Sequence, residues 1–429
     1  MRNYARWLGA ILLVALALRA AAAWWVGAWL DGRWAFPDSE SYWTLAQAVA
    51  EGKPYRVEAA YLAPQGARVF RAPGYPALLA PVVRWAPSDH QVLAARLLGA
   101  VLGTVAVAGV WCWGRQLFGD AAALVAAGAV ALYPGALATS VFVLSEAGFC
   151  PLMIAQLALW TAASRAERAA RVAGLAAAAG LAGGLATLMR PSWLLFTPLA
   201  AVAILATRWL AGRARRPWRL LVLEILALGL ATVLTLTPWW VRNYQVTGCF
   251  VPTTLQVGAS LYDGLHPGAT GASNMEFVDS IAWEERAAWE SCGMSGDLEV
   301  WLNRSFRRRA LDWARRHPGR VIRLALEKGR RMWSPWPNEA SFSRPLLGWS
   351  MFFTYIPAVV FGIIGVARSF GRGWGYALAW LPAVYLTALH MVFVGSIRYR
   401  EPAMMALAVL AAGAVMALVD RARAAWPRR

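Results

Sequence analysis

Charge is scarce in this sequence. Charged residues fill 15% of its 429 positions, and lysine occurs only at Lys53 and Lys328. Soluble domains average about 25% charged residues, so an ordinary soluble globule is excluded. Histidine is equally thin. His90, His266, His317 and His390 show no metal-ligand spacing, so no metal site is expected. No glycine-rich loop follows a strand-like run, which excludes a nucleotide-binding domain, and no cofactor is implied. Internal repeats, low-complexity tails and linker-separated soluble domains are also missing, which leaves residues 1–429 as a single integral domain.

Apolar residues fill the space instead. The chain is 59% hydrophobic, with 25 tryptophans, and its apolar runs reach the roughly 20 residues that a bilayer core requires. The net charge of +19 would suit nucleic acid, but the arginines punctuate apolar runs rather than gathering on one soluble face. The implied partner is membrane lipid, and nucleic acid is not expected. The start, "MRNYARWLGAILLVALALRAAAAWW", mimics a signal peptide. Apolar character resuming through Trp29 points instead to an uncleaved first helix.

About ten spanning helices are predicted, near 7–30, 91–112, 121–138, 145–163, 172–189, 192–208, 219–239, 346–367, 374–395 and 402–420. Cytoplasmic flanks carry the excess of arginine. Arg2 and Arg6 therefore place the N-terminus inside. Inner loops follow at Arg115, at Arg165, Arg168 and Arg171, at Arg213, Arg215, Arg216 and Arg219, and at Arg368 and Arg372. The tail adds Arg421, Arg423, Arg428 and Arg429. Two long segments, 31–90 and 240–345, then lie outside. In the first, Tyr42, Leu45, Ala46, Val49 and Ala50 recur at helical spacing, as in a helix lying on the membrane surface. "RAPGYPALLAPVVRW" is too short to span and reads as re-entrant or interfacial. In the second, a Gly- and Thr-rich loop precedes two basic amphipathic helices, "NRSFRRRALDWARRH" and "GRVIRLALEKGRRMW".

The chemistry-bearing candidates cluster on the outer side. Asp38 and Glu40, in "FPDSESYW", stand just past the first helix. Asp38 suits an N-cap, and equally a catalytic carboxylate held in one orientation by such a cap. Glu146, in "LSEAGF", opens a helix and reads as dipole-stabilising or as a site acid. Arginines occur where the charge rule disfavours them: Arg19 within the first helix, Arg71, Arg190 in "LMRPSW", Arg242 in "TPWWVRNY", and Arg398 and Arg400 in "SIRYREP". Snorkelling to headgroups would explain any one of them. Several together at headgroup depth suit the bidentate grip of a lipid phosphate. Of the four cysteines, Cys112 is expected toward the cytoplasm and Cys150 within a helix. Cys249 and Cys292 share an outer segment where an oxidising compartment permits pairing.

The acidic residue after the first helix, "YWTLAQAVAEGKPY", "RAPGYPALL", "LMRPSWLLFTP", "TPWWVRNYQVTGCFVP" and "RYREPAMMAL" together resemble the dolichyl-phosphate-mannose–protein mannosyltransferase-like superfamily, in its bacterial, glycosyltransferase family 39-like form. The resemblance runs in order from the first helix to the last. It implies an all-α polytopic protein of the GT-C fold that transfers a sugar from a polyprenyl-phosphate donor to a protein or glycolipid acceptor. The active site would face the periplasm from the bacterial inner membrane. It also implies that Asp38 is the general base in an inverting displacement. The chain reads Asp-Ser-Glu where many members have Asp-Glu, and Glu146 matches the family's second outer acid loosely. A transporter or flippase for a lipid-linked glycan is the alternative, and a structural membrane subunit a third class. Transporters often carry repeats and helices broken at mid-membrane.

Overall fold

Each long apolar run becomes a helix because a backbone in lipid must satisfy its own hydrogen bonds. The computed structural model describes residues 2–211, 217–293, 296–337 and 345–425. The expected inner arginines Arg213, Arg215, Arg216, Arg428 and Arg429 lie outside these. The described residues are helical or irregular, with one isolated bridge between Val57 and Ala67.

In chain order, α1 (Arg2–Trp29) is followed by α2 (Pro37–Ala50) and α3 (Gly74–Trp85) in the first outer segment. Next come α4 (Gln91–Phe118), α5 (Asp120–Leu132), α6 (Pro134–Val141), α7 (Glu146–Arg165), α8 (Ala169–Met189), α9 (Phe196–Ala211) and α10 (Trp218–Thr247). The second outer segment holds α11 (Val257–Gly264), α12 (Phe277–Ser291), α13 (Leu298–Arg316) and α14 (Pro318–Met332). The chain closes with α15 (Pro345–Ser369), α16 (Trp374–Ala377), α17 (Leu381–Val392) and α18 (Glu401–Ala425).

All ten expected segments contain helix, but they do not all span alike. Among the described residues, seven helices are long and apolar enough to cross a membrane, and α5 with α6 forms an eighth unit bent by 59°. The segments at α9 and α17 are shorter. The bend sits at Pro134, which lacks an N–H and forces Tyr133 into an extended conformation (φ −70°, ψ 120°). At the other extreme, α10 runs eight residues past its expected end and stops where Gly248 turns left-handed (φ 68°).

The outer helices also depart from expectation. Tyr42, Leu45 and Ala46 of α2 are buried as expected, together with Ser39, Trp43 and Ala48, while Val49 is exposed. This face packs on α3, with Tyr42 edge-on to Tyr75 at 5.2 Å, rather than on lipid. Gly74 starts α3 against the end of α8, where any Cβ would lie 2.8 Å from the Leu188 carbonyl. The two basic helices of the second segment appear as α13 and α14, and the expected loop before them also forms α11 and α12.

Opposite helix ends gather different residues. At one end, Tyr376 donates to the Leu117 carbonyl at 2.8 Å, and Arg165 and Arg372 lie over the Tyr376 ring. Arg165 and Arg372 are among the arginines assigned to inner loops. The other end holds α2, α3 and the candidate site.

Candidate active site

Asp38 does not cap its helix. Pro37 takes the first helical position, Phe36 stands at the cap without a polar side chain, and the Asp38 carboxylate faces outward to arginines. Oδ1 accepts from Arg71 Nη2 at 2.6 Å, and Oδ2 accepts from Arg398 Nη1 at 3.0 Å. Burial by itself would raise its pKa. Arg71 and Arg398 outweigh that effect and hold the carboxyl well below the usual range.

Glu146, at the start of α7, is fully buried and joins the same cluster. Arg398 grips it with a two-pronged fork, through Nε on Oε1 and Nη2 on Oε2, the latter at 3.0 Å. Arg190 Nη1 adds a contact of 2.6 Å to Oε1. Arg398 thus bridges two carboxylates from separate parts of the chain. Sequence explains the placement of both arginines. Pro191 keeps Arg190 extended (φ −141°) after α8. Arg398 lies in the short turn Ile397–Arg400 that joins the 392–396 segment to α18. Tyr399 lies below both, 5.2 Å from the Arg190 guanidinium and 5.9 Å from that of Arg398.

Arg71 has further partners. Its Nε donates to Ser41 Oγ at 3.1 Å and its Nη1 to Gln256 Oε1 at 2.9 Å, and it lies over the Tyr42 ring. Ser41 also lines an open groove of about 740 Å³ along α2, with Thr44, Gln47, Lys53 and Arg56 on its walls. Glu40 is exposed on that groove and stands apart from the arginine cluster.

The remaining candidate arginines are engaged elsewhere. Arg19 is completely buried and donates to the Val130 and Ala131 carbonyls, each at 3.2 Å. Those carbonyls end α5, where Pro134 cannot supply the amide that would have met Val130. Arg400 donates to the Met332 and Ser334 carbonyls at the end of α14, and its ring neighbour is Tyr355 at 3.8 Å. Arg242 donates to the Arg68 and Tyr55 carbonyls. These three neither snorkel to headgroups nor meet Asp38. Buried carbonyls need donors, and arginine supplies them. Cys249 and Cys292 are free thiols, as are Cys112 and Cys150. Among the described residues, no three His, Cys, Asp or Glu side chains converge to hold a metal ion.

The frame that carries this cluster occurs in other proteins. An oligosaccharyltransferase from Archaeoglobus fulgidus, solved in the apo form, superposes with a TM-score of 0.63 at 16% identity, over 97% of this chain and 51% of its own. The archaeal oligosaccharyltransferase AglB, from the same organism, in complex with an inhibitory peptide and a dolichol-phosphate, gives 0.64 at 15% identity, over 99% and 52%. The chain has the GT-C fold. It spans about half the length of the archaeal enzyme. ArnT from Cupriavidus metallidurans, bound to undecaprenyl phosphate, matches at a TM-score of 0.45 and 18% identity, over 96% of this chain and 79% of its own. Residues 72–239 match the family described as dolichyl-phosphate-mannose-protein mannosyltransferase. That stretch contains Glu146 and Arg190 but neither Asp38 nor Arg398. No curated protein matches the sequence.

Within this GT-C frame, the cluster includes two residues that sequence reasoning missed, Gln256 and Tyr399. Gln256 lies in an irregular stretch whose approach to Arg71 depends on the fold of the second outer segment. Tyr399 was visible between two arginines in "RYRE", and its alternation with them was a usable cue.

Proposed function

We propose that this polytopic GT-C protein transfers a sugar from a polyprenyl-phosphate donor to an acceptor hydroxyl on the outer face of a bacterial inner membrane. The observation that carries the reading is the convergence of Arg71, Arg190 and Arg398 on Asp38 and Glu146. Three guanidiniums drawn from distant parts of the chain make a site for an anion, and Arg398 presents the planar fork that suits a phosphate. The archaeal oligosaccharyltransferase of the same fold was solved with a dolichol-phosphate, which supports a lipid phosphate as the anion.

The donor already carries its leaving group, so no covalent nucleophile is needed. The acceptor oxygen attacks the anomeric carbon, the bond from that carbon to the phosphate oxygen breaks, and the phosphate leaves with the lipid. Asp38 takes the hydroxyl proton. The arginines stabilise the negative charge that grows on the departing phosphate. A single displacement inverts the anomeric centre. An aspartate pinned by two arginines is a poor base. A bound phosphate would draw Arg71 and Arg398 toward itself and raise the basicity of Asp38 only when donor is present.

The test begins with the lipid that copurifies with the protein, extracted and identified by mass spectrometry as a polyprenyl-phosphate sugar. With that lipid as donor, Asp38→Asn should abolish transfer while folded yield is unchanged. Arg398→Lys should lower transfer about tenfold or more, because an ammonium cannot reproduce the fork. Wild-type transfer by Asp38→Asn would refute the role of Asp38.

A further inference from the structure

The segment 67–72, which delivers Arg71 to Asp38, belongs to the first outer loop, yet the second outer loop holds its backbone in place. Glu299, buried in the first turn of α13, is the central contact. Its Oε2 accepts from the Arg68 amide at 2.8 Å and its Oε1 from the Val69 amide at 3.0 Å. Around that pair, Arg242 donates to the Arg68 carbonyl at 2.8 Å, and the Leu255 amide donates to the Val69 carbonyl at 2.8 Å. Tyr55 donates its hydroxyl to the Arg71 and Ala72 carbonyls. The Arg68 side chain pairs with Asp297, the cap of α13. The amides and carbonyls of Arg68 and Val69 are therefore all met from the second outer segment, while Tyr55 of the first loop meets the Arg71 and Ala72 carbonyls.

We propose that Glu299 is a positioning residue: by holding two consecutive amides of this segment, it sets where the Arg71 guanidinium meets Asp38 and the donor phosphate. The inference rests on the reading of Arg71 and Asp38 as part of the donor site. It goes beyond that reading by making the site depend on a carboxylate that touches neither.

The charges facing Glu299 are Asp297 and Arg68 beside it and Arg242 from α10, with the Tyr61 phenol also near. Burial pushes the Glu299 pKa up to about 7, and the two amide hydrogen bonds oppose the rise. Two consequences have opposite signs. The raised value means that Glu299 contributes stability below its ordinary pKa of 4.5, and that this contribution is lost as pH rises to about 7. The grip on the amides runs the other way, because it is strongest when the carboxylate is charged. A merely structural bond would move stability and placement together.

The test uses the full chain in detergent, with farnesyl phosphate as the probe. In Glu299→Gln, one of the two acceptor atoms becomes an NH2 facing an N–H. The Arg68 and Val69 amides should then exchange hydrogen faster at about pH 8, while α10 and α13 stay protected. Melting should be no lower than wild type at that pH, since a buried charge is gone. Affinity for farnesyl phosphate should fall about tenfold, equivalent to about 1.4 kcal/mol. Between about pH 8 and pH 6, the wild type should lose affinity across the pKa near 7. The variant should show only the ionisation of the probe itself, near pH 6, which both proteins share. Unchanged exchange at Arg68 and Val69, or a wild-type pH dependence in the variant, overturns the proposal. Lower melting of the variant at pH 8 overturns it too, by making Glu299 structural. Unchanged farnesyl phosphate affinity in Arg71→Ala and Arg398→Ala would instead refute the underlying donor-site reading, while the exchange result would still judge the Glu299 clamp on its own.

Discussion

Arg19 and Arg398 both sit where an isolated guanidinium is costly, and their partners separate them. Arg19 meets backbone carbonyls that a proline left without donors, so it repairs a helix end. Arg398 meets two carboxylates, which an anion can displace. Placing an unpaired arginine at mid-membrane costs about 2.5–3.5 kcal/mol on insertion scales, so the carbonyls satisfy Arg19 as much as Arg19 satisfies them. Replacing Arg19 by Met should therefore destabilise the protein by about 2 kcal/mol or more, the cost of leaving buried acceptors unmet. Transfer per folded molecule should be nearly unchanged. Thermal melting and specific activity, measured on the same preparation, check both halves. From sequence alone the two arginines looked equivalent, because residue type and depth are legible there while the partner is not. The partner of Arg19 lies more than a hundred positions away, at a break made by Pro134.

Elements position the site through close backbone contacts. The 392–396 segment leads to Arg398 and is held by the second outer segment. Lys328 Nζ donates to the Val392 carbonyl at 2.8 Å, and the Gly395 amide donates to Gly271 at 2.9 Å. A Cβ on Gly395 would lie 2.2 Å from the Lys328 carbonyl oxygen, so Gly395→Ala must push α14 and this segment apart. A displacement of about 1 Å at reacting groups can cost on the order of 100-fold in rate, and transfer by Gly395→Ala should fall by roughly that factor. Gly329→Ala, on the same helix, is the control: its Cβ meets only Met391, at an ordinary 3.6 Å. It should retain activity and melt slightly higher, by helix propensity. The helices themselves were readable, since apolar runs of span length admit one backbone solution in lipid. The break at Tyr133–Pro134 and the stop at Gly248 were written in the sequence as proline and glycine, yet hydropathy passes over both. The buried face of α2 was largely readable from Tyr42, Leu45 and Ala46, but its covering was not, because α3 rather than lipid lies on it. The meeting of Asp38, Glu146 and three arginines was foreseeable only as a shared side of the membrane. Their contacts depend on helix ends brought together by packing.

The whole molecule is polarised along the direction of its helices. Arg165 and Arg372 lie over the Tyr376 ring and Arg115 over Trp111 at one end, and the carboxylate–arginine cluster lies at the other. The charge rule assigns the first end to the cytoplasm. This is checked by labelling intact cells with a membrane-impermeant thiol reagent, using Glu58→Cys and Glu167→Cys, each in a background with Cys112, Cys249 and Cys292 replaced by serine. Position 58 should label from outside and position 167 only after permeabilisation. The opposite pattern would place Asp38 in the cytosol and remove a periplasmic transfer reaction.

The imbalance of the cluster, three guanidiniums against two carboxylates, bears on turnover. Under the proposed reaction, one surplus positive charge would be neutralised by a donor phosphodiester, which carries one negative charge. The spent lipid would be a monoester carrying about −1.5 to −2 at neutral pH. With Asp38 as the base, it would hold the acceptor's proton at the instant of transfer and no longer compete for Arg71 and Arg398, so the extra charge on the spent lipid would be accommodated. Once that proton departed, the restored carboxylate would reclaim both arginines and repel the phosphate. A group that starts each cycle by taking a proton would then end it by giving the proton up, and expulsion of the spent lipid would be timed to that loss.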